Sequence, residues 1–203
     1  MPMVEGKHFK HFLLYVFVLI LPFFAIWGVL SSALVTPLIG LVNILLSNWL
    51  PDVVNAVYQQ GADMLLITRF DQVNGQWVPA DSSGSGLGFR MNTRIVSYSI
   101  PFYAALHFAT DRKNVFTSFF WGLLVIYPFI WLGMVSMCLK ELMVGFGSTF
   151  IAQTGAAVPA QAVVGITYQL SVIIIPTLIP IIVWAWQSQE FILRERSADF
   201  RRT

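Results

Sequence analysis

The chain has 203 residues, the length of one domain, but 57% are hydrophobic and only 11% charged, with a mean hydropathy of +0.71. Soluble chains carry about 25% charged residues, so this is the composition of a membrane protein; at roughly 20 residues per span it holds about four spans and one small extramembrane segment, which excludes a large soluble catalytic domain. The net charge of +2 is the balance of twelve Lys and Arg against ten Asp and Glu, and eight of the twelve stand at the termini and at Arg112-Lys113 rather than along a face, so nucleic-acid binding has no support. The single cysteine, Cys138, allows neither an internal disulfide nor a paired-cysteine metal site.

No charged residue stands between Lys10 and Asp52, and the apolar stretch 12–30 is long enough to be a first span. A cleaved signal peptide is the competing reading, because Lys7 and Lys10 precede an apolar core. Against it, the apolar part is too long for a typical signal core, and Pro22, Phe23, Phe24 and Trp27 stand where small residues would precede a cleavage site. Residues 31–60 read as an amphipathic helix at the membrane interface or on the bundle. Leu34, Leu38, Leu41, Leu45, Trp49, Val53 and Val57 recur at three- and four-residue steps, while Thr36, Asn43, Ser47, Asn55 and Gln59 fall mostly on another face. Pro37 suits its first turn and Pro51 a kink.

After Gly61 the composition changes, and 61–94 read as a small extracytoplasmic insert with the character of a β-hairpin. Residues 64–70 and 76–79 are short strand candidates around the Asn74-Gly75 turn signal. The run DSSGSG (81–86) is a linker or loop tip, and a third strand candidate covers 87–93; a disordered loop is the alternative. Span two, 95–110, is short and ends at Asp111-Arg112-Lys113. Span three, 116–139, is dense in Phe and Trp, contains the helix-bending Pro128, and ends at Lys140 and Glu141. The uncharged stretch 143–161 reads as a loop or re-entrant turn. Span four, 166–187, carries Pro176 and Pro180, which free the carbonyls of Val172 and Pro176; 188–203 form a polar tail. The expected fold is therefore a mainly α-helical integral membrane protein, a single domain over 1–203, with four transmembrane helices, one amphipathic interfacial helix and a small extracytoplasmic β-hairpin-like insert.

Basic residues set the orientation of such a chain. With four spans, Lys7, Lys10, Arg112, Lys113, Arg194, Arg196, Arg201 and Arg202 lie on one side, and Arg69, Arg90, Arg94 and Lys140 on the other. The richer side is cytoplasmic, so both termini are expected in the cytoplasm and the insert outside a bacterial inner membrane.

No strong catalytic motif appears. His8 and His11 form a basic anchor with Lys7 and Lys10 rather than a metal pair, and His107 reads as an interfacial residue near the end of span two, with an intramembrane functional group as the sharper alternative. Cys138 would be a nucleophile only beside a base and an activating cation; Lys140 is near in sequence but points elsewhere on a helix. A polar path is conceivable along the last span through Tyr168, Gln169, Ser171, Pro176 and Thr177, since unwound backbone at membrane depth is where transporters place their sites. No acidic residue lies in any span, which removes the usual proton or sodium relay. In the insert, Arg69, Arg90 and Arg94 balance Asp63, Asp71 and Asp81, and Arg94, next to Tyr98, is placed to anchor the chain or to meet a partner.

The order of these features resembles the exosortase H-associated membrane proteins: NWLPDVVNAVYQQG (48–61), LLITRF (65–70), MNTRIVSYSIPFYAAL (91–106) and GITYQLSVIIIPTLIPIIVWAW (165–186) carry the resemblance. That family is named for accompanying a membrane-embedded enzyme that processes proteins with a C-terminal targeting tail, which implies an accessory role here. Such enzymes use a Cys with Arg and His in outer-facing loops. Cys138 lacks those surroundings and His107 is expected on the opposite side, so no catalytic residue carries over.

The first reading is a non-enzymatic accessory subunit of an inner-membrane sorting, secretion or surface-assembly machine, without cofactor or metal, contacting lipid and a larger membrane protein. Its partner-binding candidates are Trp49, Tyr58, Arg69, Trp77, Arg90, Arg94 and Tyr98. A second reading is a structural lipid- or pigment-binding subunit, with seven Trp and seventeen Phe packed on lipid or cofactor tails. A third is a small channel or carrier built on the Pro176 and Pro180 kink.

Overall fold

The computed structural model describes residues 5–73, 76–79, 86–110 and 114–189. In chain order they form α1 (Glu5–Trp49), β1 (Val54–Gln60), β2 (Asp63–Thr68), β3 (Phe70–Val73), β4 (Gln76–Pro79), β5 (Gly88–Asn92), α2 (Arg94–Ser97), α3 (Ser99–Phe108), α4 (Val115–Phe146) and α5 (Ser148–Thr154). A 3-10 turn (Gly155–Ala157), α6 (Gln161–Gln169), a π turn (Leu170–Ile174) and α7 (Ile175–Gln187) complete the described chain. The Asn74-Gly75 turn signal, the DSSGSG run with Asp81, the Asp111 to Lys113 cluster and the tail beyond 189 lie outside these residues, and so do the side chains of Lys7 and His8.

Among the described residues three helices are long and apolar enough to cross a bilayer: 10–49, 115–146 and 161–187. The expected span at 95–110 is instead α2 and α3, interrupted at Tyr98. Their 4 and 10 residues would reach about 21 Å at 1.5 Å per residue, short of the roughly 30 Å of hydrocarbon, so among the described residues four spans are not formed by long helices.

The expected break after residue 30 is absent. One 45-residue helix runs from Glu5 to Trp49, and Pro37 sits inside it rather than in a first turn. That helix ends where Leu50 precedes Pro51, since the ring disfavours the α conformation of the residue before it and supplies no amide hydrogen. Residues 54–60, expected as helix, are strand β1, in keeping with the preference of β-branched Val54 and Val57 for a pleated surface. The β1–β2 register slips between Val54 and Ala56. That bulge turns Val54 and Val57, three apart, to the same buried side, which imitates a helical period.

The last span also differs in detail. Pro176 has no N–H for the carbonyl of Val172, and its ring would press on that oxygen. The helix widens just before it into the π turn, in which Ile175 N donates to the Leu170 carbonyl, five residues back. Pro128 lies inside α4 without ending it, and the helix passes Lys140 and Glu141 to reach Phe146. Part of the stretch expected as a loop is helix α5.

The chain divides into two compact units. The first takes the chain up to Val29, Tyr98–Pro128 and the chain from Pro176. Its core gathers Phe12, Val16 and Leu106 with Ile20, Phe102 and Trp184, and Phe12 stacks on Trp184 at 5.0 Å. Phenylalanines pack on one another there: Phe23 stacks on Phe108, and Phe108 meets Phe119. His107, expected at the interface, is wholly buried. Its Nε2 lies 2.9 Å from the Val115 carbonyl and its Nδ1 3.1 Å from the Tyr103 hydroxyl. That hydroxyl donates to Gln187 Oε1 at 2.8 Å, and Gln187 Nε2 donates to the Ser118 carbonyl. Satisfying polar groups inside the protein is what a lipid surround demands.

The second unit, Leu30–Ser97 and Phe129–Ile175, carries a three-stranded antiparallel sheet in the order β1-β2-β5 and the separate hairpin β3-β4. Gly61, at a φ of 63°, opens the two-residue turn between β1 and β2, the positive φ that tight hairpins need.

Gly122 of the first unit is the close-approach point for Tyr103, because a Cβ there would overlap the phenol oxygen. Gly122→Ala is expected to cost about 1–3 kcal/mol by displacing Tyr103 from its hydrogen bonds, read as a lower thermal midpoint in detergent. Gly165→Ala, with nothing within 4 Å of the added carbon, should be neutral or stabilising by up to about 1 kcal/mol.

Candidate functional site

The second unit's sheet has two chemically different faces, set by the alternation of strand side chains. Met64, Leu66, Val57 and Met91 are buried on one face. Phe89, paired with Leu66, points the same way. On this side Phe146, the last residue of α4, is the anchor. Phe70, Trp77 and Phe89 meet its ring edge-on, with centroids 5.3, 4.7 and 5.7 Å away. The preceding Gly145 makes room, since a Cβ there would lie 2.5 Å from Phe89 Cζ.

The other face shows Ala56, Ile67 and Gly88 in one row across the strands, Tyr58, Leu65 and Arg90 in the next, and Gln60, Asp63 and Asn92 in the third. Tyr58 is 57% exposed. Arg90 reaches back over β2 to Asp63, with Nε and Nη2 at 2.7 and 2.6 Å from the same carboxylate oxygen. Two sequence-derived candidates, Tyr58 and Arg90, thus share one outward row. Arg69 is exposed at the junction of β2 and β3, where its backbone N donates to the Val53 carbonyl. Arg94 begins α2 next to the sheet, and its backbone N donates to Asn92 Oδ1.

The remaining candidates are placed differently. Trp77 is half-buried against Phe146. Trp49 closes α1, and its indole N–H donates to the Ala157 carbonyl at 3.0 Å. Tyr98 is half-buried between α2 and α3, within the first unit.

Along the last helix the residues of the conceivable polar path do not share one environment. Tyr168 is half-buried with Lys140 Nζ 5.4 Å above its ring, and Lys140 in turn pairs with Glu141 at 2.7 Å. Gln169 and Thr177 are exposed, whereas Ser171 and Pro176 are buried. Ser171 lies in the π turn beside α2, and Gly133 of α4 lets the two approach, its notional Cβ being 2.8 Å from Val96 Cγ1 and 3.5 Å from Ser171 Cβ. The hydroxyls of Ser97 and Ser171 are both wholly buried without a hydrogen-bond partner among the described residues. The Cys138 thiol is also wholly buried in α4.

The family model of the exosortase H-associated membrane proteins matches residues 6–191. The chain belongs to that family. It is a membrane protein with transmembrane helices and an exosortase association. No curated protein and no solved structure is similar enough to match it.

Several side chains of this member of the family that hold the sheet in place gave no signal in the sequence. Asn43 of α1 accepts the Val57 amide through Oδ1 at 2.8 Å. Gln59 Nε2 lies within hydrogen-bond distance of the Ser32 carbonyl, the Ser32 hydroxyl and the Gly61 carbonyl, and Ser32 Oγ donates to Gly61. Asn43 and Gln59 read only as a polar helix face; a hairpin turned back onto α1 would have explained them.

Gly145→Ala is expected to push Phe89 off Phe146 and to cost about 1–3 kcal/mol. Phe89→Leu in the same chain should return part of that loss, so a double-mutant cycle on the thermal midpoint should show coupling between the two sites. Strictly additive effects would mean that Gly145 does not seat Phe89.

Proposed function

We propose that this protein is a non-enzymatic accessory subunit of an inner-membrane sorting or surface-assembly machine of the exosortase kind, and that its strand insert is the part offered to a membrane-protein partner. The observation that carries this reading is the two-faced sheet. One face is committed to Phe146 and to the interior of its own unit, while the other turns Tyr58 and Arg90 outward on a three-stranded platform. Exposed aromatic and arginine side chains are the residues most enriched at recognition surfaces. The family's association with exosortase supplies the class of partner.

The buried state of Cys138 supports a non-catalytic role, since a nucleophilic thiol needs access and an activating neighbour. Loop charge supports an insert outside the inner membrane with the termini in the cytoplasm. The exposed apolar surface of α1, including Phe17, Leu21 and Val29, supports contact with lipid or with apolar helices of the partner.

Purification of the tagged protein from its native membrane in mild detergent, followed by mass spectrometry, should yield a stoichiometric membrane partner. Tyr58→Asp with Arg69→Glu should leave insertion and thermal midpoint intact and lower partner recovery at least tenfold. Full recovery would remove the insert as the interface. Gln60→Cys in a Cys138→Ala background should react with an impermeant maleimide from outside intact spheroplasts; labelling only after lysis would reverse the proposed orientation.

A further inference from the structure

The hydrogen-bond phase of the sheet fixes which backbone groups its edges present. Thr68 N donates to the Leu87 carbonyl, and Thr68 and Leu87 continue the register that pairs Leu66 with Phe89 and Met64 with Met91. In an antiparallel ladder alternate residues exchange both bonds with the same neighbour, so Phe89 and Met91 turn their backbone groups to β2, and Gly88, Arg90 and Asn92 turn theirs away. The same phase on the opposite edge is confirmed by Val57, whose outward amide meets Asn43 Oδ1. The β1 edge is therefore covered by α1. Among the described residues no strand or side chain takes the outward backbone groups of Gly88 and Arg90.

The side chains along that open edge are selective. Gly88 leaves a notch walled by Ile67 and Leu65, whose Cδ1 atoms lie 3.3 and 3.4 Å from where its Cβ would be. Two residues on, Arg90 keeps 63% of its side chain exposed while Asp63 holds it in one direction. A second copy of this chain is disfavoured as occupant, because antiparallel pairing of two β5 strands about their centre sets Arg90 against Arg90, and like charges directly opposed destabilise a ladder.

We propose that β5 is a strand-addition site for an extended segment of the partner, which pairs antiparallel with Gly88–Asn92 and places an acidic residue opposite Arg90 and, two residues later, a large apolar residue over Gly88. This rests on the accessory-subunit reading and names the chemistry of its contact. Main-chain bonds to Gly88 and Arg90 supply the pairing, and the charge and the notch set the sequence preference. A bulky cross-strand side chain covering an edge glycine also fills surface that the glycine leaves bare.

The test uses the full-length protein in nanodiscs and a fluorescein-labelled peptide Ser-Thr-Glu-Thr-Phe-Thr-Ser, read by fluorescence anisotropy. Replacing its Glu by Lys, or N-methylating its Phe amide, should each weaken binding at least tenfold. In the protein, Gly88→Pro removes an outward amide while sparing those that face β2, and should abolish binding. Should that variant misfold, Arg90→Glu gives an independent readout, since it should invert the preference in favour of the Lys peptide. No binding of any peptide at millimolar concentration, equal binding of the Glu and Lys peptides by both proteins, or a dimer that Gly88→Pro dissolves would overturn the proposal. A native partner that still co-purifies with Arg90→Glu while no peptide binds leaves the accessory reading standing without the edge site. Peptide binding without any co-purifying partner does the reverse.

Discussion

One aromatic ring at the end of a helix sets the geometry of the second unit. Phe146 receives Phe70, Trp77 and Phe89 edge-on, from three different strands, on the last turn of α4. Edge-to-face contacts of this kind add about 0.5–1.5 kcal/mol each beyond area burial, and they also define direction. With Phe89 turned to Phe146, the alternation along β5 sends Arg90 and Gly88 the other way. The platform's outward row is thus a consequence of the inward one, and Gly145 is the small residue that permits both.

In the first unit the governing constraint is polar satisfaction in an apolar surround. Tyr103, His107, Gln187 and Ser118 are joined by hydrogen bonds, with the Val115 carbonyl closing the histidine's far side. Part of the aromatic content packs on itself, in the stacking of Phe12 with Trp184, Phe23 with Phe108 and Tyr103 with Phe119.

Composition alone made the membrane class legible, and short runs around a turn signal located strands near 64–70, 76–79 and 87–93, where β2, β4 and β5 form; the break at Arg69, which makes β3 rather than β2 the partner of β4, carried no such signal. The strand β1 was hidden by its own bulge, which set Val54 and Val57 on one face at a helical spacing. Hydropathy marked 95–110 as apolar but carried no information about the break at Tyr98, and Pro37 reads as a helix start though α1 runs through it. Arg90 stood out as a charged residue of the insert and Tyr58 as an aromatic residue of the expected amphipathic helix. Their shared row, and the phase that leaves the β5 edge open, depend on strand register, which a single sequence does not state.

The clasp between the β1–β2 hairpin and α1 has a consequence for biosynthesis. Ser32, Asn43, Val57, Gln59 and Gly61 make bonds spanning 29 residues at most, so this piece closes with loops that are cheap in entropy. It needs nothing downstream of β2 and can assemble while the chain is still being inserted. The aromatic contacts on Phe146 wait until α4 has been made. Everything that fastens the hairpin to the first helix is thus in place in the chain before the helix that finally seats the insert has been synthesised.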